Sequence, residues 1–236
     1  DKRMSSGLQF QTNYTFSKSI DDMESLAEMG GSAGSGYADA YNRRADRSVS
    51  GNDIRHRVIG SVVYDLPAGA GRKWSPGGAW NAVLGGWSLG YIAELRTGPP
   101  YGVIEEVNRT NSFSPGVRPD LLRNPAISTD RSKAEKLETW FDKTAFADPG
   151  LYRFGSAGRT NGYGPGSVSM DLSLLKDFQF MERHRLQFRC EMMNFLNHAN
   201  FGLPTLNRGN AAFGRITGLS GGMAARIIQF GLHYKF

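Results

Sequence analysis

Paired carboxylates are the side chains in this sequence whose type and spacing come nearest to a reactive site. Asp21 and Asp22 are adjacent in one segment, and Glu105 and Glu106 are adjacent in another. Such pairs can bind Ca²⁺ through their oxygens or carry out acid–base catalysis. Both pairs directly follow predicted strands, where we expect loops. We therefore interpret them first as solvated loop charges and keep a loop Ca²⁺ site as the alternative.

The histidines and the cysteine do not complete a catalytic pattern. The four histidines are His56, His184, His198 and His233. None of them belongs to an HExxH motif or stands at ligand spacing from a carboxylate. The single cysteine, Cys190, excludes an internal disulfide and lies among apolar residues of a strand pattern, where it is expected to act as a small hydrophobic residue. We therefore expect no enzymatic activity, no metal site and no cofactor.

A second set of charged residues is defined by its place in the alternating pattern, and its members form no sequence motif. Its members take the polar side of alternating segments, so in strands they would lie on one face. They are Arg55, Arg57, Glu94, Arg96, Asp171, Arg189, Glu191 and Lys235. Charges of both signs on neighbouring strands can pair with one another. For each residue taken singly, solvation of the polar side and strand register are enough to explain a charge at this position. The set as a whole predicts the lining of a lumen or a surface that contacts a plug.

Alternation of apolar and polar residues is the dominant pattern of the chain and predicts the strands that would carry these charges. It recurs in six segments, residues 7–16, 57–66, 86–98, 167–176, 185–192 and 225–236. An average globular strand has about five to six residues, whereas a tilted strand that crosses a bilayer needs about nine to eleven. The segments match the longer class. The pattern also predicts that their apolar sides carry no charge.

The connections between these segments alternate between long and short. In chain order they cover residues 18–54, 67–83, 98–166, 179–183 and 198–223. In an up-and-down barrel, alternate connections lie on the same side, so three long loops would lie on one side and two shorter turns on the other. Outer-membrane barrels have this asymmetry. Within the longest loop we expect a helical turn in residues 131–141 and a folded excursion around WFDKTAF, residues 140–146.

Composition restricts the classes of partner. The net charge of +6 could suggest nucleic acid, but Lys and Arg are scattered and form no compact run, so we expect no nucleic-acid partner. No run of 18 apolar residues is present, so no transmembrane helix is expected. The 30 glycines and 14 phenylalanines favour a strand-rich chain with many turns. A soluble glycan-binding β-sandwich shares the alternation and stays open as an alternative, although its strands would be shorter.

A series of longer segments also occurs in an order that is shared with one known family. They include NRRADRSVSGNDIRHRVIGSVVYDLP, LGGWSLGYIAELRTGPPY and FGSAGRTNGYGPGSVSMDLSLLKDFQF. Over nearly its whole length the chain resembles the C-terminal barrel portion of TonB-dependent outer-membrane receptors, in particular the Oar-like group. The resemblance implies an all-β, antiparallel, up-and-down transmembrane barrel of about 22 strands with a plug inside. Residues 1–236 would supply about six of these strands, and the plug domain and the other strands would precede them.

The ending of the chain resembles the signal that the barrel-assembly machinery reads. Gln229, Gly231, Tyr234 and Phe236 would occupy its polar, glycine and two aromatic positions. An apolar stripe that ends at Phe236 would be an exposed edge in a soluble sheet, whereas in a closed barrel the last strand pairs with the first. We therefore expect this strand to close the barrel.

The family resemblance further implies a function and a location. Such a protein lies in the outer membrane of a Gram-negative bacterium, captures a large or scarce ligand with extracellular loops, and imports it through a plugged lumen. The implied partners are outer-membrane lipid, the protein's own N-terminal plug, the TonB energy-coupling complex, the barrel-assembly machinery and an extracellular ligand. A barrel that serves adhesion or surface structure without transport is the alternative.

Overall fold

The computed structural model describes residues 2–22, 37–69, 71–75, 77–114, 116–180, 184–221 and 225–236. The described strands are, in chain order, β1 (Lys2–Ser5), β2 (Leu8–Phe16), β3 (Ile20–Asp21), β4 (Ser48–Val49), β5 (His56–Asp65), β6 (Trp87–Arg96), β7 (Pro100–Tyr101), β8 (Asp120–Leu121), β9 (Phe146–Ala147), β10 (Gly162–Tyr163), β11 (Ser167–Phe180), β12 (His184–Met193) and β13 (Ile227–Lys235). The described helices are α1 (Gly78–Leu84), α2 (Lys133–Glu138) and the 3-10 helices Arg43–Asp46 and Lys143–Ala145. None of these helices is both long and apolar enough to cross a membrane.

Seven strands form one antiparallel sheet, the main sheet, in the order β1, β2, β5, β6, β11, β12 and β13. Each strand pairs with the next main-sheet strand along the chain, so the up-and-down order predicted from the sequence is confirmed. All six predicted strands are present, and β1 is an additional one. Ser6 and Gly7 connect β1 to β2 with φ angles of 53° and 79°, as a type I′ turn requires.

The all-β antiparallel fold class is therefore confirmed, but the main sheet is open. Strands β1 and β13 form its two edges among the described residues. A closed barrel of about 22 strands stays a prediction. So does the assignment of residues 1–236 to the last part of such a barrel.

The strand register divides the main sheet into two faces, because directly paired residues of antiparallel strands lie on the same side. One face, called the apolar face, carries large hydrophobic residues on every long strand. Its members include Leu8, Phe10, Tyr14, Val58, Val62, Leu89, Tyr91, Leu95, Leu172, Leu174, Leu186, Phe188, Cys190, Ile228, Phe230 and Leu232. The opposite face, called the polar face, includes Gln9, Gln11, Asn13, Ser61, Ser88, Ser169, Ser173, Asp177, Gln187 and His233.

Large side chains of the apolar face remain uncovered. Tyr14, Phe230 and Leu232 are 61%, 67% and 72% exposed. Soluble monomers rarely expose contiguous apolar surface of this extent unless it binds another partner or a membrane. The apolar face therefore has the character of a surface that contacts lipid.

Lys176 is an exception to the prediction that the apolar side carries no charge. It pairs in register with Trp87 and Phe188, which places it on the apolar face, so the prediction is wrong at this position. The side chain is buried and donates a hydrogen bond to the Gly85 carbonyl. Its nitrogen also lies 4.7 Å from the centre of the Phe178 ring and 5.8 Å from that of Trp87. The carbonyl and the ring faces replace water around the ammonium group.

The antiparallel order sends the long connections to one end of the main sheet, called the long-loop end. These are residues 17–55, 97–166 and 194–226, in which residues 23–36, 115 and 222–224 lie outside the described part. The opposite end, called the short-turn end, holds the connections 6–7 and 66–86, the second of which includes residues 70 and 76 outside the described part. The residues between β11 and β12, 181–183, also lie outside it. The predicted separation of long and short connections is thus present.

The hydrophobic core lies between the long connections and not beneath the main sheet. This loop core consists of Tyr101, Val103, Phe141, Ala145, Phe146, Leu206 and Phe213. The Phe141 ring is 5.3 Å from Tyr101, 5.6 Å from Phe146 and 5.2 Å from Phe213, measured between ring centres. The folded excursion predicted at residues 140–146 is confirmed, because it supplies three members of this core.

The helical turn predicted in residues 131–141 is also confirmed, as α2. Ser132 caps it, since the hydroxyl accepts the Glu135 backbone N–H and the Ser132 N–H donates to the Glu135 carboxylate at 2.8 Å. This reciprocal capping box satisfies two backbone donors that the first turn would otherwise leave free. It fixes where the segment that leads into the loop core begins.

Candidate functional site

Seven of the eight charged residues that the sequence places on one side share the polar face in the structure. They are Arg57, Glu94, Arg96, Asp171, Arg189, Glu191 and Lys235. Arg55 differs, because β5 begins only at His56. Its guanidinium donates to the Tyr163 hydroxyl at 3.0 Å and lies 3.5 Å from the Asp53 carboxylate. Arg55 thus belongs to the loops. That the polar face lines a lumen or contacts a plug stays a prediction.

Toward the long-loop end, the charges of the polar face have partners on neighbouring strands. Arg57 Nε donates to Glu94 Oε1 at 2.9 Å, and Arg96 Nε donates to Ser167 Oγ at 2.7 Å. The Arg57 and Glu94 side chains are 47% and 28% exposed, so the pair adds at most about 1 kcal/mol to stability. These contacts fix side-chain orientation and strand register more than they stabilise the sheet.

Toward the short-turn end, the polar face carries several basic side chains, beside which the Asp177 carboxylate accepts a hydrogen bond from Gln187 Nε2 at 3.0 Å. Arg185 pairs directly with Lys235 across β12 and β13, and His233 lies opposite Gln187. Arg189 Nε donates to Gln187 Oε1 at 2.9 Å. Among the described residues, neither Arg185 nor Lys235 has a carboxylate partner, and like charges directly opposite one another destabilise a strand pair. This surface is therefore suited to an anionic group.

The polar face also carries apolar side chains in its middle. Ile92 lies between Ser61 and Asp171 in the register and is 55% exposed. Val63, on the same face, is 42% exposed. A water-filled barrel interior is lined by polar residues. Val63 and Ile92 are thus exposed apolar side chains on an otherwise polar face.

At the long-loop end, three of the four candidate loop carboxylates, those of Asp21, Asp22 and Glu105, are paired with arginines. Asp22 accepts from Arg43 Nη2 at 2.8 Å, and Asp21 pairs with Arg159. Glu105 pairs with Arg208. The described residues contain no group of three or more His, Cys, Asp or Glu side chains that could hold a metal ion. These contacts favour the interpretation as loop charges over a Ca²⁺ site.

A charged pocket of about 220 Å³ lies among these loops and includes Glu105, Arg109, Asp148 and Arg208 in its lining. Arg109 donates to the Asp148 carboxylate, which also lies 3.8 Å from Arg208 Nη2. The Tyr152 backbone N–H donates to the Arg109 carbonyl at 2.8 Å and brings an aromatic residue to the pocket edge.

Exposed hydrophobic residues lie in the same long connection as most of this pocket's lining. Val107, which lines it, is 56% exposed, and Leu151 and Tyr152 are 64% and 74% exposed. Phe113, in the same long connection, is fully exposed. Surface aromatic and aliphatic side chains beside fixed charges are typical of ligand-binding surfaces. The pocket and its rim form a candidate capture surface.

A buried ion pair joins the first long connection to the second. Arg118 Nη1 lies 2.9 Å from Asp46 Oδ1, and the two side chains are 9% and 3% exposed. Burial lowers the pKa of the Arg118 guanidinium, and the Asp46 charge opposes this shift. We call the described parts of the three long connections, held together by this pair and the loop core, the loop module. Sequence reasoning missed the pairing of Asp46 with Arg118, because the two residues are 72 positions apart and neither lies in an alternating segment.

The residues of the predicted assembly signal lie in and after the edge strand β13. Gln229 and Gly231 lie on the polar face, and Tyr234 lies on the apolar face. Phe236 follows the strand, is 91% exposed and stacks on Tyr234 with ring centres 5.9 Å apart. The positions are thus accessible from the edge of the sheet, and their recognition by the assembly machinery stays a prediction.

Comparison with known proteins gives evidence on the family of this chain that is independent of its geometry. Residues 1–229 match the model of a family described as an outer membrane beta barrel domain. Neither a curated protein nor a solved structure matches the chain. The match covers nearly the whole length and agrees with the long antiparallel strands, the exposed apolar face and the separation of long from short connections. The chain belongs to the outer membrane β-barrel domain family, which assigns it to the outer membrane.

Proposed function

We propose that the chain is the C-terminal part of the barrel of a TonB-dependent receptor of the Oar-like group. In this proposal the loop module is extracellular and captures a ligand, and the polar face lines a lumen that holds the plug. Import through this lumen uses energy from the TonB complex. The protein performs no bond-making chemistry.

The observation that carries the proposal is the mixed character of the polar face. Exposed Val63 and Ile92 occur there together with paired charges and with the basic surface around Arg185 and Lys235. A plug could cover the apolar positions and supply carboxylates to the basic ones, which a column of water cannot do. A barrel that only presents loops for adhesion has no need of such a face.

The loop module supports ligand capture. Long loops usually have low stability unless they bury a core of their own. Here the loop core and the buried pair of Arg118 and Asp46 hold the charged pocket and its exposed rim in one arrangement. Such preorganisation reduces the entropy that a ligand must overcome on binding.

The test is electrical and biochemical, and uses the complete protein. In planar bilayers, deletion of the region upstream of the barrel should convert a closed protein into an open pore. The purified periplasmic domain of TonB should bind the complete protein and not the deleted form. Equal conductance of the two forms together with no TonB binding would refute the proposal and favour the adhesion barrel.

A further inference from the structure

The connection between β5 and β6 leaves large apolar side chains exposed at the short-turn end. Trp74, Trp80, Val83 and Leu84 are 61%, 64%, 54% and 46% exposed. The last three belong to α1, which has seven residues. A helix this short is not stable in water without tertiary contacts. Contacts at its C-terminal end hold this helix, yet three of its large apolar side chains stay exposed.

Two contacts show on which side of the main sheet α1 ends. Trp87 and Lys176, which both lie on the apolar face, bind carbonyls of its last turn and of Gly85, the residue that follows it. The indole Nε1–H of Trp87 donates to the Val83 carbonyl at 2.9 Å, and the Lys176 ammonium donates to the Gly85 carbonyl. The C-terminal turn of α1 is thus fixed at the foot of the apolar face. Val83 and Leu84 lie at this end of α1, and their side chains are exposed.

Basic residues accompany these apolar side chains. Two backbone hydrogen bonds close the turn before α1. The Gly69 N–H donates to the Trp74 carbonyl at 2.8 Å, and the Trp74 N–H donates to the Pro67 carbonyl at 2.9 Å. The turn presents Arg72 and Lys73 as exposed side chains next to Trp74. Among the described residues neither of the two makes an ion pair. Tryptophan at the interface with Lys or Arg on the water side is the arrangement of segments that lie in a membrane surface.

We propose that Arg72, Lys73, Trp74, Trp80, Val83 and Leu84 form a lipid-binding foot of the barrel. The apolar members insert at the boundary between headgroups and acyl chains in the leaflet at the short-turn end. The two basic residues select anionic phospholipid headgroups. Lipid is the occupant because the foot continues the apolar face and because its charge is complementary to anionic headgroups.

Depth measurement tests the position of the foot. In the complete protein with Cys190→Ser, spin labels are placed by Val83→Cys and Leu84→Cys and the protein is reconstituted in vesicles. Leu151→Cys, an exposed site in the loop module, is the matched control. Collision with oxygen should exceed collision with a water-soluble nickel complex at positions 83 and 84, with the reverse at 151. Water-like values at all three positions would overturn the proposal.

Lipid retention tests the selectivity. The probe is the retention of phosphatidylglycerol relative to phosphatidylcholine by the complete protein purified from mixed vesicles. Arg72→Gln with Lys73→Gln should lower this ratio by about fivefold per removed charge. Arg44→Gln with Arg47→Gln removes two exposed charges at the other end of the molecule and should leave it unchanged. An equal ratio in both double variants and the parent would show that the foot does not select anionic lipid.

Discussion

Replacing Phe141 with alanine would show whether the long connections fold as one unit above the main sheet. Phe141 is 1% exposed, and its ring packs against three other rings at centre distances of 5.2–5.6 Å. Truncation of a buried phenylalanine costs about 3–5 kcal/mol, because the cavity left behind fills only in part. Since each 1.4 kcal/mol is a factor of ten, the opened loop module should become about 100- to 4,000-fold more populated.

Limited proteolysis of the folded protein in detergent measures this population. Cleavage within residues 97–166 should accelerate by the same factor as long as opening and closing are fast relative to cleavage. The heat-dependent gel migration that reports a folded barrel should stay as in the parent. Phe113→Ala is the matched control, because Phe113 lies in the same connection and is fully exposed. Cleavage of the Phe141 variant at the rate of the control would refute the existence of a stable loop core.

Three further perturbations address the cap, the polar face and the chain end. Hydrogen bonds from Ser132 lower the pKa of Glu135, so stability that is present above the unfolded pKa of about 4.3 is lost as pH falls. Proteolysis of the loop module should therefore increase in acid, and less so in Glu135→Gln; equal acid profiles would contradict this. In the receptor that we propose, Arg189→Leu with Glu191→Leu should loosen plug seating without stopping assembly. An unchanged channel leak in bilayer recordings would count against plug contact. Deletion of Phe236 should reduce the amount of protein assembled in the outer membrane, and normal surface levels would refute the assembly-signal prediction.

The main sheet could be predicted because the alternation of polar and apolar residues is visible within the sequence of each single strand. Side chains alternate strictly along a strand, so residue types alone assign Arg57, Glu94 and Arg189 to one side. Arg55 follows the same alternation, yet it precedes β5, because strand ends depend on hydrogen-bonding partners that parity does not reveal. Strand β1, with four residues, is too short for alternation to stand out.

The parts that were missed depend on contacts between distant segments. Lys176 is tolerated on the apolar face because the Gly85 carbonyl, 91 positions away, meets its ammonium group. The loop core joins Phe141 to Phe213 across irregular connections that have no hydrophobic period. Helix α1 has too few residues for a helical pattern to be recognised. The candidate pocket likewise depends on Arg208 reaching Glu105 from another connection.

We propose that the apolar face meets lipid and that the polar face meets the lumen. A fluorescent label on single cysteines along β6, in the complete protein with Cys190→Ser, tests it most directly. Labels at Leu89 and Tyr91 should be quenched by brominated lipid and protected from aqueous iodide. Labels at Ser88 and Ile92 should be insensitive to brominated lipid. Lipid quenching that fails to alternate between the two pairs of positions would contradict a membrane-spanning wall.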